Sequence, residues 1–222
     1  MAVTRSRQPN PSGEPTAILL VRHGEVENLG QVLYGRLPRY GLSARGREQA
    51  ACVAERLAGR PVAAIYSSPL LRARQTADCI ARRHPRAARH VSALLHEVRS
   101  AWQGTPLTDF RPGFSTYTDR RAPDDESMEE IAERMTRFLA RARRHHPGRT
   151  VVAVSHGDPI TILRVALSGR PLTLPAIRGA DYADLCSVTE VTFEADDWEG
   201  ARPRVACLPA PAVPAVVGEA RR

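Results

Sequence analysis

Thr16-Ala17-Ile18-Leu19-Leu20-Val21-Arg22-His23-Gly24 is the stretch that decides the fold. Its first six residues form an apolar run with no polar alternation, the pattern of a strand buried on both faces. The run stops abruptly at Arg-His-Gly, a polar loop. Thr150 to Val154 repeats the design and runs into Ser155-His156-Gly157-Asp158. A shorter third run, Val62 to Tyr66, leads to Ser67-Ser68-Pro69-Leu70-Leu71-Arg72. Three buried strands that each end in a polar loop imply an α/β sheet whose strand ends can share one crevice.

Helical periodicity fills the spaces between these strands. Ser43 can cap a helix whose apolar positions are Ala50, Val53, Ala54 and Leu57. Ser68-Pro69 reads as an N-cap followed by proline in the first turn, opening a helix towards Arg83. Ser127 and Glu130 form a capping-box pattern before a helix with Met128, Ile131, Met135, Phe138 and Ala142 on one face and Leu139 beside them, stopping by Pro147-Gly148. Asp158-Pro159 repeats the cap-plus-proline start. Tyr182 to Phe193 and Val205 to Leu208 complete the sheet. The expected fold is a three-layer α/β/α sandwich with a mainly parallel, mixed central sheet. Its domain spans 16–208, between Pro-rich flexible tails at 1–15 and 209–222. Residues 102–125 lack periodicity and read as a lid insertion.

Composition narrows the function classes. A chain of 222 residues, 42% of them hydrophobic, suits one domain with a substantial core. All 32 basic residues are arginine, which excludes lysine Schiff-base chemistry and the lysine of a P-loop. The net charge of +8 reads as GC-rich base composition or as attraction for anions, and arginine's planar fork suits phosphate. Nucleic acid fits poorly, because the arginine clusters fall on helix faces with no interleaved aromatics. Cys52, Cys79, Cys186 and Cys207 are scattered without metal-ligand spacing, so reduced and mostly buried thiols are expected, with no metal and no cofactor. The apolar run after residue 15 is too short and too late for a signal peptide or membrane span, which points to the cytoplasm. A homodimer is expected on base rates alone.

The two His-Gly pairs and the arginine-bearing turn are the candidate chemistry. A neutral imidazole can attack phosphorus while guanidinium groups neutralise the equatorial oxygens. Each motif alone is weak; their conjunction at three strand ends is not. The sequence here resembles the histidine phosphatase superfamily, also called phosphoglycerate mutase-like. The resemblance rests on Leu20-Val21-Arg22-His23-Gly24-Glu25, on Leu42-Ser43-x-x-Gly46-x-x-Gln49-Ala50 and on Ser67-Ser68-Pro69-Leu70-x-Arg72-Ala73-x-Gln75-Thr76-Ala77. Leu95-x-Glu97, Trp102-x-Gly104, Glu126-Ser127 and Val154-Ser155-His156-Gly157 complete it, over about residues 16 to 168.

The resemblance implies a phosphoglycerate mutase-like fold and a role for each matching residue. His23 matches the nucleophile that becomes phosphorylated; Arg22, Arg72 and His156 match the groups that hold the phosphoryl oxygens. Glu97 matches the acid that protonates the leaving oxygen and then activates water. Asn28 and Gly157 are expected beside the substrate, as is Arg36. Two departures stand out. Many relatives place the asparagine one residue further from the nucleophile than Asn28 stands, and only Val98-Arg99-Ser100-Ala101 separates Glu97 from Trp102. The shortening would alter the pocket beside Glu97. The expected function is hydrolysis of a phosphorylated small molecule without a metal. Phosphoglycerate mutase-type transfer and a non-catalytic phosphate-binding module are the alternatives.

Overall fold

The computed structural model describes residues 13–179, 181–194 and 202–213. Most of the expected tails, at 1–12 and 214–222, lies outside the described residues.

Six strands form one sheet. In chain order they are β1 (Thr16–Arg22), β2 (Val62–Ser67), β3 (Ala88–Val91), β4 (Thr150–Ser155), β5 (Val188–Phe193) and β6 (Arg204–Leu208). Their spatial order is β3-β2-β4-β1-β5-β6, with the first four parallel and β5 and β6 antiparallel, so the sheet is mixed as expected. The helices are α1 (Ala44–Leu57), α2 (Leu71–Arg83), α3 (Met128–His145), α4 (Gly157–Leu167) and the short α5 (Leu174–Arg178).

Strand β1 shows why both faces had to be apolar. Leu19 and Val21 pack with Val53, Leu57, Ala73 and Ile80 of α1 and α2. Ile18 and Leu20, on the opposite face by the alternation of a strand, pack with the α3 and α4 layer through residues such as Ile131, Phe138 and Leu163. Every apolar position of the α3 stripe, Met128, Ile131, Met135, Phe138, Leu139 and Ala142, is buried. The Ser127–Glu130 capping box forms in both directions, and Ser43 caps α1 by accepting from the Gly46 amide.

Three expectations need correction. Helix α2 starts at Leu71, not at Ser68-Pro69; Ser68 faces the strand-end crevice. Helix α4 starts at Gly157 with His156 in the cap position, so Asp158 is already helical and its carboxylate is engaged elsewhere. Of the four cysteines only Cys186 is buried, although all are free thiols. Strand β3 and helix α5 carried no readable signal; both are short, and β3 is an exposed edge strand containing Arg89 and His90. No helix among the described residues is long and apolar enough to cross a membrane.

The register brings the chemistry together. Arg22 pairs with Ser155, and Ser67 with Val154. The His23 amide then donates to the Ser155 carbonyl at 3.1 Å and the Ser68 amide to the Val154 carbonyl at 2.9 Å. His23, Ser68 and His156 therefore leave three adjacent parallel strands side by side, at their carboxyl ends.

Candidate active site

The loop after β1 is clamped by α1. The Ser43 amide donates to the Glu25 carbonyl at 3.0 Å, and Gln49 Oε1 accepts from the Glu25 amide at 2.8 Å. A Cβ on Gly46 would come within 2.0 Å of the Glu25 carbonyl oxygen, and one on Gly24 within 2.4 Å of the Gly46 carbonyl oxygen. Only two glycines permit this approach of loop and helix, and Thr76 of α2 accepts from the Gly24 amide at 3.2 Å. The Ser43, Gly46, Gln49 and Thr76 positions thus hold His23 in place from behind.

His23 is 1% exposed. Its Nδ1 lies 2.7 Å from the Gly24 carbonyl oxygen, which can only accept, so Nδ1 carries the proton. Arg72 Nε, which can only donate, stands 3.2 Å from His23 Nε2. Both contacts select the tautomer in which Nε2 is unprotonated, its lone pair directed into the site and accepting from Arg72 Nε. Burial, then Arg72 and Arg22, hold His23 well below the ordinary imidazole range, so the ring is neutral at neutral pH.

Cations and donors surround that lone pair. Arg72 is fully buried, donates to the Gly35 carbonyl at 2.8 Å and lies over the Tyr34 ring at 4.8 Å. Arg22 donates to the Ala183 carbonyl at 2.7 Å and lies over Tyr182 at 5.2 Å. His156 sits edge-on to His23, with ring centroids 5.1 Å apart, and shares a 2.8 Å hydrogen bond with the Ser68 hydroxyl through Nε2. With the hydroxyl donating, Nδ1 of His156 carries the proton and points into the site. Arg22 Nε, Arg72 Nη1 and His156 Nδ1 are all buried without a hydrogen-bond partner. Three buried donors lacking acceptors form a socket for an oxyanion, since each unmet donor is costly on its own.

Glu97 completes the cluster, with Oε2 3.6 Å from His156 Nδ1 and 3.9 Å from Arg72. Burial, then the nearby Asp158 carboxylate, raise its pKa, against the pull of Arg72. A carboxyl that stays protonated longer than usual can deliver a proton and later reclaim one. Arg99 does not pair with it; Arg99 donates to the Asp124 carbonyl at 2.6 Å. Ligand atoms of His23, Glu97 and His156 lie within 4.8 Å of one another, a juxtaposition that sequence spacing did not reveal. The guanidinium groups of Arg22 and Arg72 make the same space favour an anion over a cation.

The remaining expected residues sit around this centre. Asn28 lines the cavity, but its amide is engaged in both directions by Val32, accepting from the amide at 3.2 Å and donating to the carbonyl at 2.9 Å. Arg36 donates to the Glu97 carbonyl at 2.7 Å and to Glu126 at 2.7 Å, and is not among the cavity-lining residues. Gly157 begins α4; a Cβ there would lie 2.4 Å from the Tyr182 hydroxyl and 3.1 Å from Arg22 Cζ.

Two groups carried no assigned role in the sequence reading. Glu126 accepts from Arg36, from Arg134 at 3.0 Å and from the Arg99 amide at 3.0 Å, while Arg134 donates to the Leu94 carbonyl at 2.8 Å. This brace holds the loop carrying Glu97 from both sides. Asp158 accepts from Tyr117 at 2.6 Å and Tyr182 at 2.7 Å. Burial and Asp158 keep both phenols protonated, hence donors. The Asp-Pro pair was a visible signal, but it read as a helix cap.

Above the centre opens a cavity of about 620 Å³, with Arg22, His23 and Glu97 on its floor. The 31–33 and 104–107 segments pair to form part of its wall, through Leu33 N to Thr105 O at 2.9 Å and Leu107 N to Gln31 O at 2.7 Å. Residues 102–125 contain one 3₁₀ turn, Leu107–Asp109, and contribute Leu107, Phe110 and Phe114 to the wall.

The chain is similar to known proteins over most of its length. Residues 18–204 match the family model described as histidine phosphatase superfamily (branch 1). The uncharacterized protein Rv0525 of Mycobacterium tuberculosis is 39% identical over 193 residues, covering 82% of this chain and 93% of its own. Phosphoserine phosphatase 1 of Hydrogenobacter thermophilus is 30% identical over 174 residues, covering 75% of this chain and 82% of its own. Among solved structures, the mycobacterial glucosyl-3-phosphoglycerate phosphatase Rv2419c superposes with a TM-score of 0.73 at 28% identity, covering 90% of this chain and all of that one (100%).

Proposed function

The chain belongs to branch 1 of the histidine phosphatase superfamily, and on that premise we propose that it hydrolyses a small phosphate monoester through a phosphohistidine at His23. The observation that carries this reading is the trio of unpartnered buried donors, Arg22 Nε, Arg72 Nη1 and His156 Nδ1, grouped around a neutral imidazole whose unprotonated Nε2 is met by Arg72 Nε.

In the first step Nε2 of His23 attacks phosphorus and the bond from phosphorus to the ester oxygen breaks. Glu97, protonated, gives its proton to the departing alkoxide. Arg22, Arg72 and His156 hold the equatorial oxygens, and their charge and donors meet the negative charge spread there. In the second step water attacks the phosphohistidine, Glu97 takes the water's proton, and the N–P bond breaks. Inorganic phosphate leaves, with His23 and Glu97 returned to their starting states. The low pKa of His23 keeps the nucleophile unprotonated, and the raised pKa of Glu97 keeps the acid loaded. The steps need no metal, and the arginines occupy the role a cation would take. Arg36, through the Glu97 carbonyl, positions the acid.

The test is phosphate release from a panel of phosphorylated metabolites and p-nitrophenyl phosphate, wild type against His23→Ala, with and without chelator. Release abolished by His23→Ala and indifferent to chelator is expected, together with an acid-labile, alkali-stable phosphoprotein in the wild type. Formation of 2-phosphoglycerate from 3-phosphoglycerate faster than phosphate release would replace hydrolysis with mutase-type transfer. No turnover by a folded protein would leave a phosphate-binding module.

A further inference from the structure

The cavity above His23 has a chemical character of its own. Phe110 and Phe114 stack at 4.1 Å, and Trp102 packs edge-on against both, at 5.8 and 5.2 Å. The Trp102 indole N–H donates to the Asp119 carbonyl and Arg121 lies over its ring at 4.8 Å, so the aromatic wall is held from behind. Leu107 lines the same cavity and is 46% exposed. Val32 and Leu33, in the segment paired with 104–107, line it as well. Apolar surface left open to water in a preformed concave site is surface that a ligand can cover.

Three polar side chains of the cavity are already engaged within the protein. Asn28 is bound on both sides of its amide by Val32. Gln103 Oε1 accepts from the Arg36 amide at 3.2 Å, and both carboxylate oxygens of Asp158 accept from tyrosines. A polyhydroxylated or amino-acid leaving group entering here would lose water and find these groups already engaged, which costs affinity at each unmet hydroxyl or ammonium. An aromatic group would lose nothing of that kind and would stack on Phe110 and Phe114.

Resting on the phosphatase reading above, we propose that the substrate is a phosphomonoester whose leaving alcohol carries an apolar ring, recognised by Phe110, Phe114 and Leu107. Phosphoserine and phosphoglycerate-type substrates, which the relatives' names carry, are predicted to be poor ones for this chain. The volume of about 620 Å³ accommodates a fused bicyclic ring beside the phosphoryl group. Of the two arginines that line the cavity, Arg178 is the one away from the catalytic floor; it is exposed and available to an anionic group on the same aromatic leaving alcohol.

The test compares esters of similar intrinsic reactivity, all with alkyl leaving groups: 2-(1-naphthyl)ethyl phosphate against O-phosphoserine, 3-phosphoglycerate and glucose 6-phosphate. The expected kcat/KM for the naphthyl ester exceeds that of each polar ester by at least about tenfold. Phe114→Ala and Leu107→Asn should each narrow that ratio by about threefold or more, chiefly through KM for the naphthyl ester. Leu107→Asn is the safer variant because the side chain is already half exposed. Polar esters turned over as well as or better than the naphthyl ester overturn the proposal and leave the phosphatase reading intact. A preference that survives both substitutions overturns the assignment of the wall. No turnover of any ester, with p-nitrophenyl phosphate also inert, removes the phosphatase reading and the substrate class with it.

Discussion

Replacing Glu97 by glutamine removes one proton and little else, and that makes it the sharpest perturbation of the site. Glutamine has the same shape. Its side-chain oxygen can still accept from the Val98 amide, now at 3.0 Å to Oε1, and its NH2 group replaces Oε2 at 3.9 Å from Arg72 and 3.6 Å from His156, beyond hydrogen-bond distance of both. Phosphate binding should therefore persist. What disappears is general acid catalysis on the leaving alkoxide and general base catalysis on water. Each contributes about 10²–10⁴-fold, or about 3–5 kcal/mol of barrier. For an alkyl phosphate, kcat and kcat/KM should both fall by about that factor. For p-nitrophenyl phosphate the leaving phenolate needs no proton, so transfer to His23 survives while hydrolysis of the phosphohistidine slows. Stopped-flow spectroscopy should then show a burst approaching one nitrophenolate per enzyme, followed by a slow steady state. Hydrolysis of an alkyl ester by Glu97→Gln within about threefold of the wild type would falsify the assignment of Glu97 as the proton carrier. A burst in the wild type that vanishes in the variant would move its role to the first step alone.

Other consequences follow from the same geometry. The kcat/KM for alkyl esters should fall as pH rises through the raised pKa of Glu97, and this alkaline limb should be missing in Glu97→Gln; a limb unchanged in the variant would assign it to another group. His23 and His156 have folded pKa values below their unfolded ones, so the stability they contribute is present above the unfolded histidine value of about 6.5 and is lost as pH falls through the folded values; denaturant midpoints measured from pH 7.5 downwards should decline from near 6.5. Glu126→Ala leaves Arg134 and the Arg99 amide without their acceptor at a site only 10% exposed, which should cost about 3 kcal/mol and lower Tm by about 6–12 °C, with a drop in kcat as the Glu97 loop loosens. An unchanged Tm would show the brace to be dispensable. Gly157→Ala drives a methyl group against Tyr182 and Arg22, so it should cost about 1–3 kcal/mol and raise KM for phosphate esters; wild-type kinetics in that variant would mean that Arg22 can move without consequence.

Much of the protein was legible in its sequence because its signals are local. An apolar run such as Thr16 to Val21 needs both faces covered, and the motifs ending three such runs had to emerge at strand ends whatever the helices did. The Ser127–Glu130 capping box and the α3 stripe depend on spacing along one helix, and both formed as read. His23, Arg22, Arg72 and His156 meet for the same reason: each belongs to a short motif, and the parallel register carries those motifs to one place.

What sequence could not decide is where side chains with several options put their hydrogen bonds. Ser68 and Asp158 each look like helix caps beside a proline, yet Ser68 bonds His156 and Asp158 bonds two tyrosines. Both partners come from distant parts of the chain, and local pattern carries no information about them. Arg36 and Asn28 were expected beside the substrate by position in the chain; tertiary packing gives Arg36 to Glu126 and leaves Asn28 lining the cavity with its amide bonded to Val32. The aromatic wall is the clearest instance. Trp102, Phe110 and Phe114 lie in a segment without periodicity, and only the pairing of 104–107 with 31–33 turns them into one face of a cavity over His23. The buried strands and the motifs that end them are written in short stretches of sequence. The tautomer of His23, the pKa of Glu97 and the shape of the space above them arise from contacts between stretches, because burial and charge act through space and not along the chain.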